Sequence, residues 1–165
     1  MKLENVIERF NTTPILFVGS GITRRYYDLP DWEGLLDHFA QIVKDDEFAY
    51  NFYKSKSQMT ECKAGQLPKI AELIQQDYDL KWFSEPDIRT VGDEGIAVIK
   101  QGVSPFKVEV AHYIKEKCNI NVNYNEEIEL LKSISEKSIA GVITTNYDDF
   151  IEKHFAGYTK YIGQN

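Results

Sequence analysis

Cysteine is scarce in this chain. Cys62 and Cys118 are its only two, far apart and without a Cys-x-x-Cys pair. That excludes the usual zinc-ligand spacing and argues against a disulfide framework. Two reduced thiols suit a cytosolic protein. Long apolar runs are missing as well. No stretch approaches the roughly 18 residues of a membrane span, and Met1–Phe10 is amphipathic with no signal-peptide apolar core. The cytoplasm is therefore the expected compartment. Basic charge is in short supply: Lys and Arg total 19 against 26 Asp and Glu, for a net charge of −7 and a pI near 5.0. With no basic stripe carrying interleaved aromatics, direct nucleic-acid binding is not expected. Internal repeats and low-complexity segments are absent too. What is present is 165 residues, 42% hydrophobic and 13% aromatic, enough for the core of one domain or a large part of one.

Apolar spacing predicts mostly helices. Leu3, Val6, Ile7 and Phe10 mark a helix over 2–11. Asp31 is placed to cap a helix whose face is Trp32, Leu35, Leu36, Phe39 and Val43. Residues 45–66, with Phe48, Tyr50, Phe52 and Tyr53, read as a helix of uncertain length and then a loop. Pro68 opens a helix burying Ile70, Leu73, Ile74 and Tyr78. Residues 84–103 read as a loop with a short ordered piece at 96–99. Ser104-Pro105 caps a helix with Phe106, Val110, Ile114 and Cys118 on its buried face. A turn is expected at 119–125, then a helix marked by Ile128, Leu131 and Ile134. Phe150, Ile151 and Phe155 mark the last.

Two runs are strand-like: 14–18, ending in Phe17-Val18, and Ile139–Thr145, rich in β-branched residues. Tyr158–Ile162 is a candidate third. These elements predict an α/β fold: a Rossmann-like parallel sheet with helices on both faces and a mostly helical insertion at about 45–125. Two or three strands leave parallel edges uncovered. The expectation is therefore an N-terminal part of a longer domain, unless further strands lie in 84–103 and 119–123.

Both strand exits carry polar chemistry. The first empties into Gly19-Ser20-Gly21-Ile22-Thr23, a way of bringing backbone N–H groups close to a phosphate. The ordinary dinucleotide fingerprint wants a third small residue where Arg24 stands. The second exit is Thr145-Asn146-Tyr147-Asp148. Ligands of open parallel sheets sit at such carboxyl ends.

These stretches resemble the sirtuin superfamily, and more closely the bacterial sirtuin-like NAD-hydrolase domains at the N-termini of anti-phage defence proteins. Gly19–Thr23 resembles the family's Gly-Ala-Gly-Ile-Ser loop, Leu29-Pro30-Asp31-Trp32 its Ile-Pro-Asp-Phe segment, and Thr145–Asp148 its Gln-Asn-x-Asp motif. Three departures stand out. Glu33 replaces the family's arginine, the four-cysteine zinc module of the deacylases is absent, and the catalytic histidine is not found at its usual place. His154 follows Asn146 by only eight residues and reads as a surface or packing histidine, while His38 and His112 have no motif around them. The catalytic histidine is expected beyond Asn165, or absent.

The resemblance implies NAD as substrate, no metal, and hydrolysis of the nicotinamide–ribose bond. The implied biology is an effector of abortive infection that depletes NAD, working as a homo-oligomer within a longer protein or complex. Gly19, Ser20, Gly21, Ile22 and Thr23 would bind the pyrophosphate, with Arg24 or Arg25 adding charge. Asp31 and Trp32 would line the cofactor. Asn146 would be the catalytic residue, positioning water or a ribose hydroxyl. Asp148 would accept from the nicotinamide carboxamide or ribose, unless it only caps a helix. Thr145 and Thr23 would support with their hydroxyls. The alternative is a non-catalytic module binding NAD or an ADP-ribose derivative; a deacylase is disfavoured by the missing zinc cysteines.

Overall fold

A computed structural model of the chain describes residues 13–27, 29–59, 65–118, 124–155 and 157–163. The expected helix over 2–11 and most of the expected turn at 119–125 lie outside them. The chain divides into two compact units, Met1–Leu29 with Cys118–Asn165, and Pro30–Lys117.

The first unit holds both strands, β1 (Ile15–Val18) and β2 (Gly141–Thr144). They pair in parallel, with Ile15 opposite Gly141 and Val18 opposite Thr144. Backbone bonds from Ala140 N to Pro14 O (2.8 Å) and from Thr145 N to Val18 O (3.4 Å) extend the pairing. Among the described residues, the same unit holds the helices α1 (Ser20–Tyr27), α7 (Asn125–Ser138) and α8 (Phe150–His154). Thr23, Tyr26 and Tyr27 are buried, at the i, i+3, i+4 spacing that places them on one face of α1. The tyrosines close around Phe150, which is fully buried. Tyr26 stacks on it at 5.3 Å between ring centroids, and Tyr27 meets it edge-on at 5.4 Å.

The second unit is helical: α2 (Trp32–Lys44), α3 (Ala49–Gln58), α4 (Gln66–Ser84), α5 (Asp93–Lys100) and α6 (Pro105–Lys117), with a 3₁₀ turn at Pro86–Ile88. Asp31 caps α2 by accepting from Gly34 N at 2.9 Å. Pro68 is the third residue of α4, where a missing N–H costs no hydrogen bond. The core gathers Leu36 and Phe39 from α2, Tyr53 from α3, Ile70, Ile74 and Tyr78 from α4, and Phe106 from α6. Polar side chains tie the helix ends. Asp79 accepts from Phe106 N (2.8 Å) and Ser104 Oγ (3.0 Å) at the start of α6. Lys81 donates to the last carbonyls of α2, Ile42 O (2.9 Å) and Val43 O (3.2 Å).

This architecture corrects the expected Rossmann-like sheet with helices on both faces. Among the described residues the sheet has two strands. One of its faces is bare: Ile15, Phe17 and Ile143 are 61%, 67% and 52% exposed. Tyr158–Ile162 makes no strand, and Tyr161 and Ile162 are exposed. Its β-favouring composition finds no neighbouring ladder, and strand preference is expressed only against such a neighbour. In 84–103 the ordered piece is a helix rather than a hidden strand. Ile96 and Ile99, three residues apart, both turn toward the second unit's core.

Candidate functional site

Leaving β1, the backbone turns directly into α1. Gly19 is the last residue before the helix, and Ile22 N reaches back to Gly19 O at 3.3 Å. Neither Gly19 nor Gly21 has positive φ, and a Cβ built on either meets nothing within 4 Å. No internal packing or backbone strain therefore calls for glycine at these positions. Gly21, inside a helix, even destabilises it relative to alanine. Open glycines at a helix N-terminus leave room for a ligand to approach backbone N–H groups.

The exit of β2 meets this turn. Asn146 N bonds Thr144 Oγ1 at 3.0 Å, which fixes the loop. The Asn146 side chain then donates twice through Nδ2, to Gly19 O at 3.1 Å and to Thr23 Oγ1 at 2.7 Å. A carbonyl oxygen only accepts, so the contact with Gly19 settles which end of the amide is nitrogen. The Thr23 hydroxyl, accepting from Asn146, donates to Asp148 Oδ2 at 2.8 Å. The other Asp148 oxygen accepts from Phe150 N at 2.9 Å, capping the start of α8. Gly19, Thr23, Asn146 and Asp148 thus form one hydrogen-bonded cluster. Asn146 Oδ1 receives no donor among the described residues. Thr23 is buried at 4% exposure, its hydroxyl used in both directions.

Other expected residues are placed as follows. Ser20 and Gly21 are exposed in the first turn of α1. Ile22 is half-buried, Arg24 exposed, and Thr145 exposed beside Asn146. Arg25 is committed elsewhere. It grips Glu127 of α7 with two bonds, at 2.7 and 2.9 Å, and stacks over the Tyr124 ring at 4.8 Å. Hydrogen bonds from Arg25 and from Tyr26 OH (3.1 Å) hold the Glu127 carboxyl below its ordinary range. Of the two arginines offered for a phosphate, Arg25 thus braces α1 against α7. Asp31 and Trp32 belong to the second unit, as the cap and first residue of α2, with Trp32 42% exposed.

Two reactive residue types nearby are quiet. Burial, then Asp149 and Asp148, pushes the Cys118 thiol up to about 11. His154 is buried against Phe150 at 4.7 Å, and neither ring nitrogen finds a hydrogen-bond partner among the described residues. Burial, then Lys132 and Lys153, lowers its basicity. Where Gly19-Ser20-Gly21 suggests a turn, α1 begins at once at Ser20, and the Thr23, Tyr26, Tyr27 spacing is the sequence signal for it. The described residues contain no cluster of metal-ligating side chains and no helix long and apolar enough to cross a membrane. No protein-family model matches the chain, and no curated protein or solved structure matches it.

Proposed function

We propose that the chain binds NAD across the β1 and β2 exits and cleaves its nicotinamide–ribose bond, as the resemblance to sirtuin-like NAD hydrolases implies. The carrying observation is the Asn146 amide, fastened to both Gly19 O and Thr23 Oγ1. It joins two of the three stretches of the resemblance, more than a hundred residues apart in sequence, in one cluster. The unobstructed Gly19 and Gly21 support the same reading. Backbone N–H groups of the first α1 turn take the pyrophosphate, helped by the positive end of the helix dipole. The ribose carbon gains positive character as neutral nicotinamide leaves. Asn146 Oδ1, an acceptor, orients a water or a ribose hydroxyl beside it. In a cell this reaction lowers NAD, which fits an anti-phage effector acting in a larger assembly.

A second reading, binding of NAD or an ADP-ribose derivative without hydrolysis, is favoured by one observation. His154 is packed against Phe150 with neither ring nitrogen hydrogen-bonded among the described residues, and no imidazole of the described residues joins the cluster to act as base. Incubation of the protein with NAD, measuring nicotinamide release with Asn146→Ala as control, separates the readings. Hydrolysis predicts release that the substitution cuts at least about tenfold. Tight binding without release favours the second reading, and neither binding nor release overturns both.

A further inference from the structure

Resting on the NAD reading of this site, we infer that Thr23 and Asp148 are positioning residues. They set the amide of Asn146 and do not themselves touch the ligand.

The hydrogen-bond directions carry the inference. Asp148 has two carboxylate oxygens, and each already accepts a donor from the chain: Oδ2 from the Thr23 hydroxyl and Oδ1 from Phe150 N. The first bond orients the Thr23 proton away from Asn146. That leaves a Thr23 lone pair to accept from Asn146 Nδ2 at 2.7 Å. The second Nδ2 hydrogen goes to Gly19 O. With both amide hydrogens held, the carboxamide plane is fixed, and Asn146 Oδ1 is the oxygen of the three side chains that accepts no donor from the described residues. Burial agrees: Thr23 is 4% exposed, and its face of α1 is the one carrying Tyr26 and Tyr27 into the core. The chain Asp148 to Thr23 to Asn146 is therefore serial. Loss of either Thr23 or Asp148 frees the amide to rotate, and loss of the second adds little once the first is gone. If both residues touched NAD, their losses would instead multiply.

The test is a double-mutant cycle on NAD affinity with wild type, Thr23→Val, Asp148→Ala and the double variant, plus Thr23→Ser as the conservative control. The Asn146 side-chain amide is followed in each protein by two-dimensional 15N NMR without ligand. We expect each single variant to weaken NAD binding about 5- to 20-fold. The double should be within about twofold of the weaker single, and Thr23→Ser should recover most of the loss. The two Asn146 Nδ2 protons should be exchange-protected in wild type and Thr23→Ser, and lose that protection in Thr23→Val and Asp148→Ala. Multiplicative losses, or single variants that bind NAD as wild type does, would overturn the inference. If wild type binds no NAD, the NAD reading fails by itself. The NMR arm then decides the positioning claim, and an Asn146 amide indifferent to Thr23→Val would overturn it.

Discussion

Replacing Gly21 by alanine should move stability and ligand binding in opposite directions. Gly21 is the second residue of α1, has no positive φ, and offers 4 Å of clear space to a new Cβ. In the folded chain the methyl group displaces nothing, while in the unfolded chain it removes conformational freedom. The expected gain is about 0.5–1 kcal/mol, or a rise in melting temperature of roughly 1–4 °C for a chain of this size. On the proposed NAD reading, the same methyl would stand where the pyrophosphate approaches the α1 amides. Losing one charge-assisted hydrogen bond costs about 1.5–3 kcal/mol, roughly 10- to 150-fold in affinity. Thermal unfolding and equilibrium NAD titration of Gly21→Ala and wild type measure both quantities. A destabilised variant would mean the fold itself needs this glycine. A stabilised variant with unchanged NAD affinity would mean that no ligand approaches Gly21, and the reasoning from open glycines would fall.

Other consequences are sharp as well. Glu109 is a buried carboxylate accepting from Trp82 Nε1 (2.9 Å), Thr90 N (3.1 Å) and the Thr90 hydroxyl. Glu109→Ala strands those donors and should cost about 3–5 kcal/mol in denaturant unfolding, while Glu109→Gln, which keeps an acceptor, should cost distinctly less. His154 is held neutral in the fold by burial, so its contribution to stability is present above the unfolded pKa near 6.5 and is lost as pH falls through the lower folded value. Melting temperatures at pH 7.5, 6 and 5 should fall more steeply for wild type than for His154→Phe, and equal slopes would contradict this. Cys118, pushed up to about 11, should react with a thiol reagent at pH 7.5 about a hundredfold more slowly than an ordinary cysteine, measured in a Cys62→Ser background.

Local elements were legible where a single chemical preference dominated. The β-branched run around Val142 and Ile143 announced β2, and Asp31 announced the start of α2. The extent of the sheet was not legible, because composition at Tyr158–Ile162 cannot say whether a ladder is there to receive it. Nor was α1. Gly19-Ser20-Gly21 looks like a turn, yet a short helix forms because Tyr26 and Tyr27 bury themselves against Phe150. The residues of the site were nameable from the two motifs, but their division of labour was not. The resemblance gives Asn146 the catalytic role, Asp148 a ligand contact or a helix cap, and Thr23 a supporting hydroxyl. Only the hydrogen-bond directions reveal the order of the chain, in which Asp148 accepts from Thr23 and Thr23 accepts from Asn146. Likewise nothing in the spacing of Arg25 points to Glu127, a hundred residues on.

The most direct test follows the backbone amides of Gly19–Thr23 in 1H–15N spectra while NAD is added, with nicotinamide mononucleotide as a one-phosphate comparison. Pyrophosphate binding at the α1 N-terminus predicts saturable shifts at Gly19, Ser20, Gly21 and the Asn146 side chain, and weaker binding of the mononucleotide. An unmoved set of α1 amides at saturating NAD would contradict it.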